Sequence, residues 1–344
     1  MATAAVAPNW LGDFVMAMPA LKALARSGDV DLFALASLAP LARDTLLVRD
    51  VIPYVKERGV GRFTIKTDLA RLLERGRYGA AVLFPNSFSS ALGAWRARVP
   101  LRVGTAMHKR SVLLTRTVDR LRGGEHQMDA YARIAEAATG GVIDVSPDEA
   151  TLSVGTGVTA RAAGVLREAG VDVEADRFAV VAPGAAYGPA KQWGADNFGH
   201  LARLLAEGGV RTVVVGTSRD ATEAAAIRSA AGEDRAIDLT GRTTLVELAG
   251  IISLAAGFAG NDSGAAHLAS ALGVRTASVF LSTDPTHTCQ RGPAVKLFVA
   301  DVECAPCMKR SCPRDEQVCR TRVNPDDVAR FLLSTDPEPV RGDE

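Results

Sequence analysis

Residues 178–216 read FAVVAPGAAYGPAKQWGADNFGHLARLLAEGGVRTVVVG. Two short apolar runs, Phe178–Ala182 and Thr212–Gly216, enclose a helical pattern over Ala195–Leu205. Short, wholly apolar runs fit strands buried on both faces, and strand, helix, strand in that order make a crossover between parallel neighbours. The same unit recurs outward from there. Downstream, strands are expected at Ala236–Leu239, Gly257–Gly260, Thr276–Phe280 and Lys296–Val299, with helices at Ala221–Ala231, Leu245–Leu254 and Ala265–Leu272. Upstream, strands at Thr3–Ala7, Val30–Ala36 and Ala80–Pro85 alternate with helices at Pro19–Arg26, Leu38–Val48 and Leu69–Arg75. Alternation of this kind predicts an α/β chain of parallel sheets with helices on both faces. Two runs of similar size in 344 residues predict two Rossmann-like, doubly wound domains, residues 1–165 and 166–335, with a polar tail over 336–344.

Composition narrows the function class. Lys plus Arg number 40 against 39 Asp plus Glu, for a formal charge of +1, and 47% of residues are apolar against 23% charged. That is an ordinary globular balance, which excludes a disordered, collagen-like or disulfide-scaffold chain and disfavours nucleic acid as the main partner. No run reaches the roughly 18 apolar residues of a membrane span; the longest, Ala249–Ala259, stops at Asn261-Asp262. The opening MATAAVAPNWLGDF lacks a charged n-region and carries Asp13 where an apolar signal core would run, so no signal peptide is expected. The five cysteines, an odd number, all fall in the last fifth of the chain. This points to a reducing compartment and a cytoplasmic protein.

A doubly wound sheet binds ligands at the C-terminal ends of its strands, so polar residues just after strands are the candidates. Pro8-Asn9-Trp10-Leu11-Gly12-Asp13 follows the first strand and precedes the helix expected from Pro19. Asp13 reads either as a helix cap or as a general base toward an acceptor hydroxyl. Asn261-Asp262-Ser263-Gly264-Ala265-Ala266-His267 follows a strand of the second domain and opens a helix. Free amides and the helix dipole suit an anion there, with Gly264 admitting a phosphate and Asp262 facing sugar hydroxyls. The competing reading is a capped helix on whose first turn His267 packs. Pro183-Gly184-Ala185-Ala186 leads to Lys191-Gln192-Trp193, whose lysine could reach a diphosphate, and Thr240-Gly241 lies in a loop suited to a nucleoside or to a plain turn.

Two further patterns read as coincidence. Gly155-Thr156-Gly157-Val158-Thr159-Ala160 spells a dinucleotide fingerprint, but the next strand lacks the terminal acid that pattern needs. Asp29-Val30-Asp31 precedes a strand instead of ending one. The run Cys304, Cys307, Cys312, Cys319 offers four thiols for a zinc or iron–sulfur site, yet it is not paired as in zinc ribbons. Reduced thiols shaping a basic loop are the favoured reading, with no metal or other cofactor. Arg96–Arg122 is locally basic, with Arg96, Arg98, Arg102, Lys109, Arg110, Arg116, Arg120 and Arg122 against the acid Asp119. It reads as a solvated face or as an attractor of a phosphorylated or membrane-bound partner.

Taken together, PNWLGDFVMAMPAL, LFPNSFSSALGAWRARVPLRVG, HQMDAY, KQW, GNDSGAAH and CAPCMKRSCP, in this order, resemble glycosyltransferase family 9, and within it the lipopolysaccharide heptosyltransferase II group. The resemblance implies a GT-B fold, two Rossmann-like domains facing across a cleft, with an N-terminal acceptor domain and a C-terminal nucleotide-sugar domain. It implies inverting, metal-independent transfer of heptose from ADP-L-glycero-β-D-manno-heptose to the first heptose of the lipopolysaccharide inner core. Asp13 then matches the base and Lys191 the cation meeting the departing ADP. Asp262, Ser263, Gly264, His267, Thr240 and Gly241 would hold the donor. Asn9, Gly12, Arg98, Arg102, Lys109 and Arg110 would meet a phosphorylated lipid A–core acceptor on the cytoplasmic face of the inner membrane. Ala265 stands where many members carry Pro, which should loosen that turn slightly without removing its amide donors. Three other readings stay open: heptosyltransferase I or another family 9 enzyme with a different sugar, a GT-B-like sugar-nucleotide epimerase, and a cysteine-cluster metal or redox module.

Overall fold

The computed structural model describes residues 1–55, 68–119, 121, 123–232, 234–314 and 316–334. Six strands fall in the first part of the chain: β1 (Thr3–Val6), β2 (Val30–Leu35), β3 (Asp50–Tyr54), β4 (Ala80–Leu83), β5 (Leu101–Thr105) and β6 (Arg116–Val118). Helices α1 (Leu11–Met16), α2 (Met18–Ser27), α3 (Ala39–Thr45), α4 (Asp68–Gly76), α5 (Phe88–Arg96) and α6 (Gln127–Thr139) separate or follow them. All pairings are parallel, in the order β3-β2-β1-β4-β5-β6. The core on this sheet gathers Val6, Phe33, Leu69, Leu73, Tyr78 and Leu83. Each fully buried side chain of this size contributes about 1.5–3 kcal/mol. Helix α6 starts at a His cap: the Met128 amide donates to His126 Nδ1 (3.2 Å) and the His126 amide to Asp129 Oδ2 (3.1 Å). The motif HQMDAY is therefore a helix start.

The second set of strands is β7 (Phe178–Ala182), β8 (Arg211–Val214), β9 (Ala236–Asp238), β10 (Gly257–Asn261), β11 (Thr276–Phe280) and β12 (Val295–Val299). Its helices are α7 (Thr156–Glu168), α8 (Ala195–Glu207), α9 (Ala221–Ala231), α10 (Leu245–Leu254), α11 (Gly264–Ala271), α12 (Pro285–Thr288) and α13 (Pro325–Leu333). The order β12-β11-β10-β7-β8-β9 is again parallel throughout. It repeats the first sheet strand for strand. In both, the chain reverses its direction of sheet growth between the first and fourth strands, β1/β4 and β7/β10, and ligands of doubly wound sheets bind at that switch point. Val181, Trp193, Phe198, Leu201, Ile227 and Val328 lie in the core.

The expected fold class holds, with three corrections. The chain divides at Met1–Ala150 and Thr151–Glu344, ahead of the expected 165/166 boundary. Helix α7 belongs to the second unit because it packs on α10 at Gly250, where a Cβ would lie 2.7 Å from that of Ala162. The helix after β1 opens at Leu11, not Pro19, so Asp13 lies in its first turn instead of in a loop. Strands β3, β5 and β6 and helices α5, α6, α7, α12 and α13 fall outside the sequence expectation. The two rejected patterns are structural: Gly155 caps α7 without a strand before it. Asp31 is buried in β2, accepting from Arg49 Nε (2.7 Å) and the Tyr78 hydroxyl (2.6 Å). Arg120, Arg122 and the tail 336–344 lie outside the described residues. Among the described residues no helix is long and apolar enough to cross a membrane.

Candidate active site

In the first unit, the peptide after β1 passes Pro8 and Asn9 and enters α1, whose third residue is Asp13. Asn9 Oδ1 accepts from the Tyr54 hydroxyl (2.9 Å), and Gly12 is the second residue of α1. Asp13 is half-buried, and its Oδ1 accepts a hydrogen bond from the Tyr131 hydroxyl at 2.9 Å. Tyr131 projects from α6, is buried, and meets the ring of Phe84 edge-on at 5.8 Å. Burial, reinforced by the Asp13 charge, pushes the Tyr131 phenol well above its ordinary range, so it remains an O–H donor. A donor fixed in this way orients the carboxylate in the N-terminal turn of α1. A carboxylate so held can take a proton from a bound hydroxyl. Tyr131 closes the HQMDAY motif, whose sequence alone assigns it no role. Spacing on α6 places it, and only the fold brings it to Asp13.

The basic segment separates into different roles. Arg110 is wholly buried and is not a surface contact for an anionic acceptor. Its Nε donates to Thr105 O (2.8 Å) and its Nη1 to the carbonyls of Pro85 and Ser87. Burial without a facing carboxylate lowers it to about 10. It braces the end of β5 against the turn that leads from β4 into α5. Arg102 is likewise spent on carbonyls, those of Leu113 and Val99, both at 2.6 Å. Arg98 and Lys109 are exposed in left-handed backbone conformations, φ +54° and +58°.

In the second unit the loops after β7 and β10 meet. Trp193 is fully buried, edge-on to Phe198 at 5.0 Å, with its Nε1 donating to Val323 O (3.1 Å). Asn261, the last residue of β10, accepts from the Trp193 amide at 2.9 Å and donates to Pro183 O at 2.6 Å. These contacts fix the turn that carries Lys191. Its ammonium pairs with Asp262 Oδ2 and donates to Asp262 O (3.3 Å), while Thr283 Oγ1 donates to the same carboxylate oxygen at 2.8 Å. Asp262 and Ser263 lead directly into α11. The amides of Gly264, Ala265 and Ala266 precede the first intrahelical bond, from His267 N to Ser263 O (3.2 Å). His267 is buried on that turn; burial lowers it to about 4 even though Asp262 raises it, with Lys191 lowering it further, so it is neutral at pH 7. Ser263 Oγ and Ser282 Oγ are buried without a hydrogen-bond partner among the described residues. Buried hydroxyls are normally satisfied, and orphans beside a helix N-terminus are the polar atoms a ligand would complete.

Thr240 and Gly241 lie at the end of β9. Thr240 Oγ1 donates to Asp238 Oδ1 (2.7 Å), and the Gly241 amide to Gly216 O (2.9 Å). Gly241 has φ +70°, and a Cβ there would come within 3.2 Å of Ser218, so this loop needs its glycine to lie against the loop after β8. Cys304, Cys307, Cys312 and Cys319 are free thiols. Among the described residues no group of three or more His, Cys, Asp or Glu side chains forms a metal-ligand set. Asn261, Thr283, Ser282 and Tyr131 are the residues that sequence reasoning missed. For Asn261 a signal existed, since it opens the NDSG turn.

The family model for glycosyltransferase family 9 (heptosyltransferase) matches residues 66–317. Lipopolysaccharide heptosyltransferase 2 of Salmonella typhimurium is 27% identical over 303 residues, covering 82% of this chain and 83% of that protein. The structure of E. coli ADP-heptose lps heptosyltransferase II matches 97% of this chain and 98% of its own, with a TM-score of 0.76 at 23% identity. That of E. coli heptosyltransferase WaaC with ADP matches 96% and 99%, with a TM-score of 0.73 at 18% identity. At these identities the structural likeness is one of fold, and it is the GT-B fold.

Proposed function

This chain belongs to glycosyltransferase family 9, and we propose that it transfers heptose from ADP-L-glycero-β-D-manno-heptose to the first heptose of the lipopolysaccharide inner core, with inversion and without a metal. The observation that carries this reading is the seating of Lys191. The buried Trp193 and Asn261 hold its turn so that the ammonium stands at Asp262, the residue before the N-cap of α11. A cation and a helix N-terminus together suit a sugar diphosphate. The likeness to a heptosyltransferase 2 over 82% of this chain supports the choice of sugar and of the second heptose position.

In this mechanism the C1–O bond to the β-phosphate breaks and its electron pair stays on the phosphate oxygen. Lys191 and the α11 amides are fixed toward the charge that develops there, which is where preorganised donors contribute most. The acceptor 3-hydroxyl attacks C1 from the opposite face and gives its proton to Asp13, so a β-linked donor yields an α-linked product. Asp262, held by Lys191 and Thr283, orients sugar hydroxyls, and Ser263 Oγ finds a partner in the diphosphate. The Thr240-Gly241 loop faces the nucleoside. The enzyme would work in the cytoplasm, at the inner face of the membrane that carries its acceptor.

The test is incubation with ADP-heptose and a heptose-I-bearing core acceptor, with product mass and linkage determined. One added heptose, α-linked, in chelator-treated buffer is the expected result. No transfer, donor turnover without acceptor, or a β-linkage would each overturn the reading.

A further inference from the structure

The segment that carries four of the cysteines has no role in the mechanism above, yet it is built into the Lys191 turn. The Tyr187 hydroxyl donates to Met308 O at 2.8 Å, and the Ala190 amide donates to Arg310 O at 3.0 Å. Gln317 Nε2 donates to Ala190 O (2.8 Å), and Arg320 Nε to Gln192 O (2.8 Å). Gly188 makes the approach possible: a Cβ there would lie 2.4 Å from Arg310 O. The Met308 amide also donates to Ser282 O (2.7 Å), at the end of β11. Residues 308–314 and 316–320 are thus tied to 187–192 by one main-chain bond and by three side chains that donate to main-chain carbonyls.

These ties place a second cation. The Arg310 guanidinium carbon lies 5.2 Å from the centroid of the Tyr187 ring, and Lys191 Nζ lies 5.1 Å from the same centroid. Arg310 is exposed, and its guanidinium has no ion pair or hydrogen bond among the described residues. The charges named at the turn otherwise cancel. Lys191 is paired with Asp262, and His267 is neutral. A sugar diphosphate brings two negative charges and gains a third as the glycosyl bond breaks, while a helix N-terminus offers only about half a positive charge. One more cation is needed, and the unpaired one within reach of the same aromatic ring is Arg310.

We propose that Arg310, delivered by the cysteine-bearing segment, is a second cation for the donor's diphosphate, acting beside Lys191. Arginine suits the task because its planar fork binds phosphate oxygens two at a time while its face rests on an aromatic ring. On this view Gln317, Arg320 and Gly188 serve to hold that segment in place. The inference rests on the reading of the Lys191 turn as the diphosphate site.

Calorimetric titration of ADP and AMP into the full-length protein and its variants separates the two. Arg310→Gln should weaken ADP about tenfold, the loss of one charge-assisted contact, and leave AMP within about twofold. Arg310→Lys, which keeps the charge but not the planar fork, should recover only part of the ADP affinity. Unchanged ADP binding in Arg310→Gln, or equal losses for ADP and AMP, would overturn the proposal; the latter would mean that Arg310 only packs the loop. Lys191→Ala is the reference. If it too leaves ADP unaffected, the diphosphate reading itself has failed. If it weakens ADP while Arg310→Gln does not, only the role of Arg310 has failed.

Discussion

Acidification should weaken the second unit through one buried imidazole. His267 lies on the first turn of α11 and is held at about 4. Burial is the main cause; the Lys191 ammonium adds to it and the Asp262 carboxylate opposes it. In the unfolded chain the same imidazole takes a proton near 6.5. Its contribution is therefore fully present above 6.5 and is lost progressively as the pH falls toward 4. The gap from 6.5 to about 4 corresponds to roughly 3 kcal/mol at its limit. The steepest loss is about 1.4 kcal/mol per pH unit. His267→Gln keeps a polar side chain of similar reach and removes the titration. Urea unfolding at steps from about pH 7.5 to about pH 4.5, read by fluorescence, supplies the free energies. Trp193 is fully buried in this unit, whereas Trp10 and Trp95 belong to the first unit and are exposed, so the Trp193 signal follows the right transition. The stability advantage of wild type over His267→Gln should shrink across that range. A difference that stays constant would show that His267 protonates as readily folded as unfolded, and the burial argument would be wrong.

Asp13→Asn can still accept the Tyr131 hydrogen bond but cannot take a proton; kcat should fall roughly 10²–10⁴-fold, with ADP affinity unchanged by calorimetry. Near-normal turnover would remove Asp13 from the chemistry. Trp193→Ala empties a fully buried site, costing about 3–5 kcal/mol in unfolding free energy and loosening the Lys191 turn. A loss below about 1 kcal/mol would mean that the loop collapses without harm. Arg110→Met keeps the bulk of the side chain but removes the guanidinium's bonds to the carbonyls of Thr105, Pro85 and Ser87, which retain only the Met107 amide and the shared Ser90 hydroxyl as donors. It should destabilise the first unit by about 1.5–3 kcal/mol; a stability gain would show that desolvating the guanidinium costs more than its bonds return.

The second unit was legible almost element by element because its central strands β7, β10 and β11 are buried along their whole length. FAVVA at β7 and TASVF at β11 read as strands without help from their surroundings. The strands missed in the first unit, DVIPY, LRVGT and RTV, carry charges or proline and lie at or toward the outer positions of the sheet, where one flank is not covered. Helix α7 was hidden by its own sequence, since TGVTARAAGVLRE is poor in large apolar residues and packs through Ala162 against Gly250. Asp262 and Lys191 could be named from their places after strands, but the ion pair that joins them spans 71 residues and exists only in the fold. Arg110 shows the limit of reading charge along a chain. A run of cations looks alike whether its members face solvent or, as here, fill the end of a sheet.

The switch point of the second unit also has a kinetic consequence. The bond from Asn261 to Pro183 closes a separation of 78 residues, and the pairing of β7 with β10 that accompanies it cannot form until three intervening helices and two outer strands have been synthesised. Such distant pairings pay their loop-closure entropy before any contact rewards them, and they fold late. The turn that joins Asn261 to Pro183 is thus assembled among the last native contacts of its unit. Asn261→Ala should therefore unfold faster with little change in its refolding rate, and a nascent chain that ends before residue 257 lacks the strand that this turn is built on.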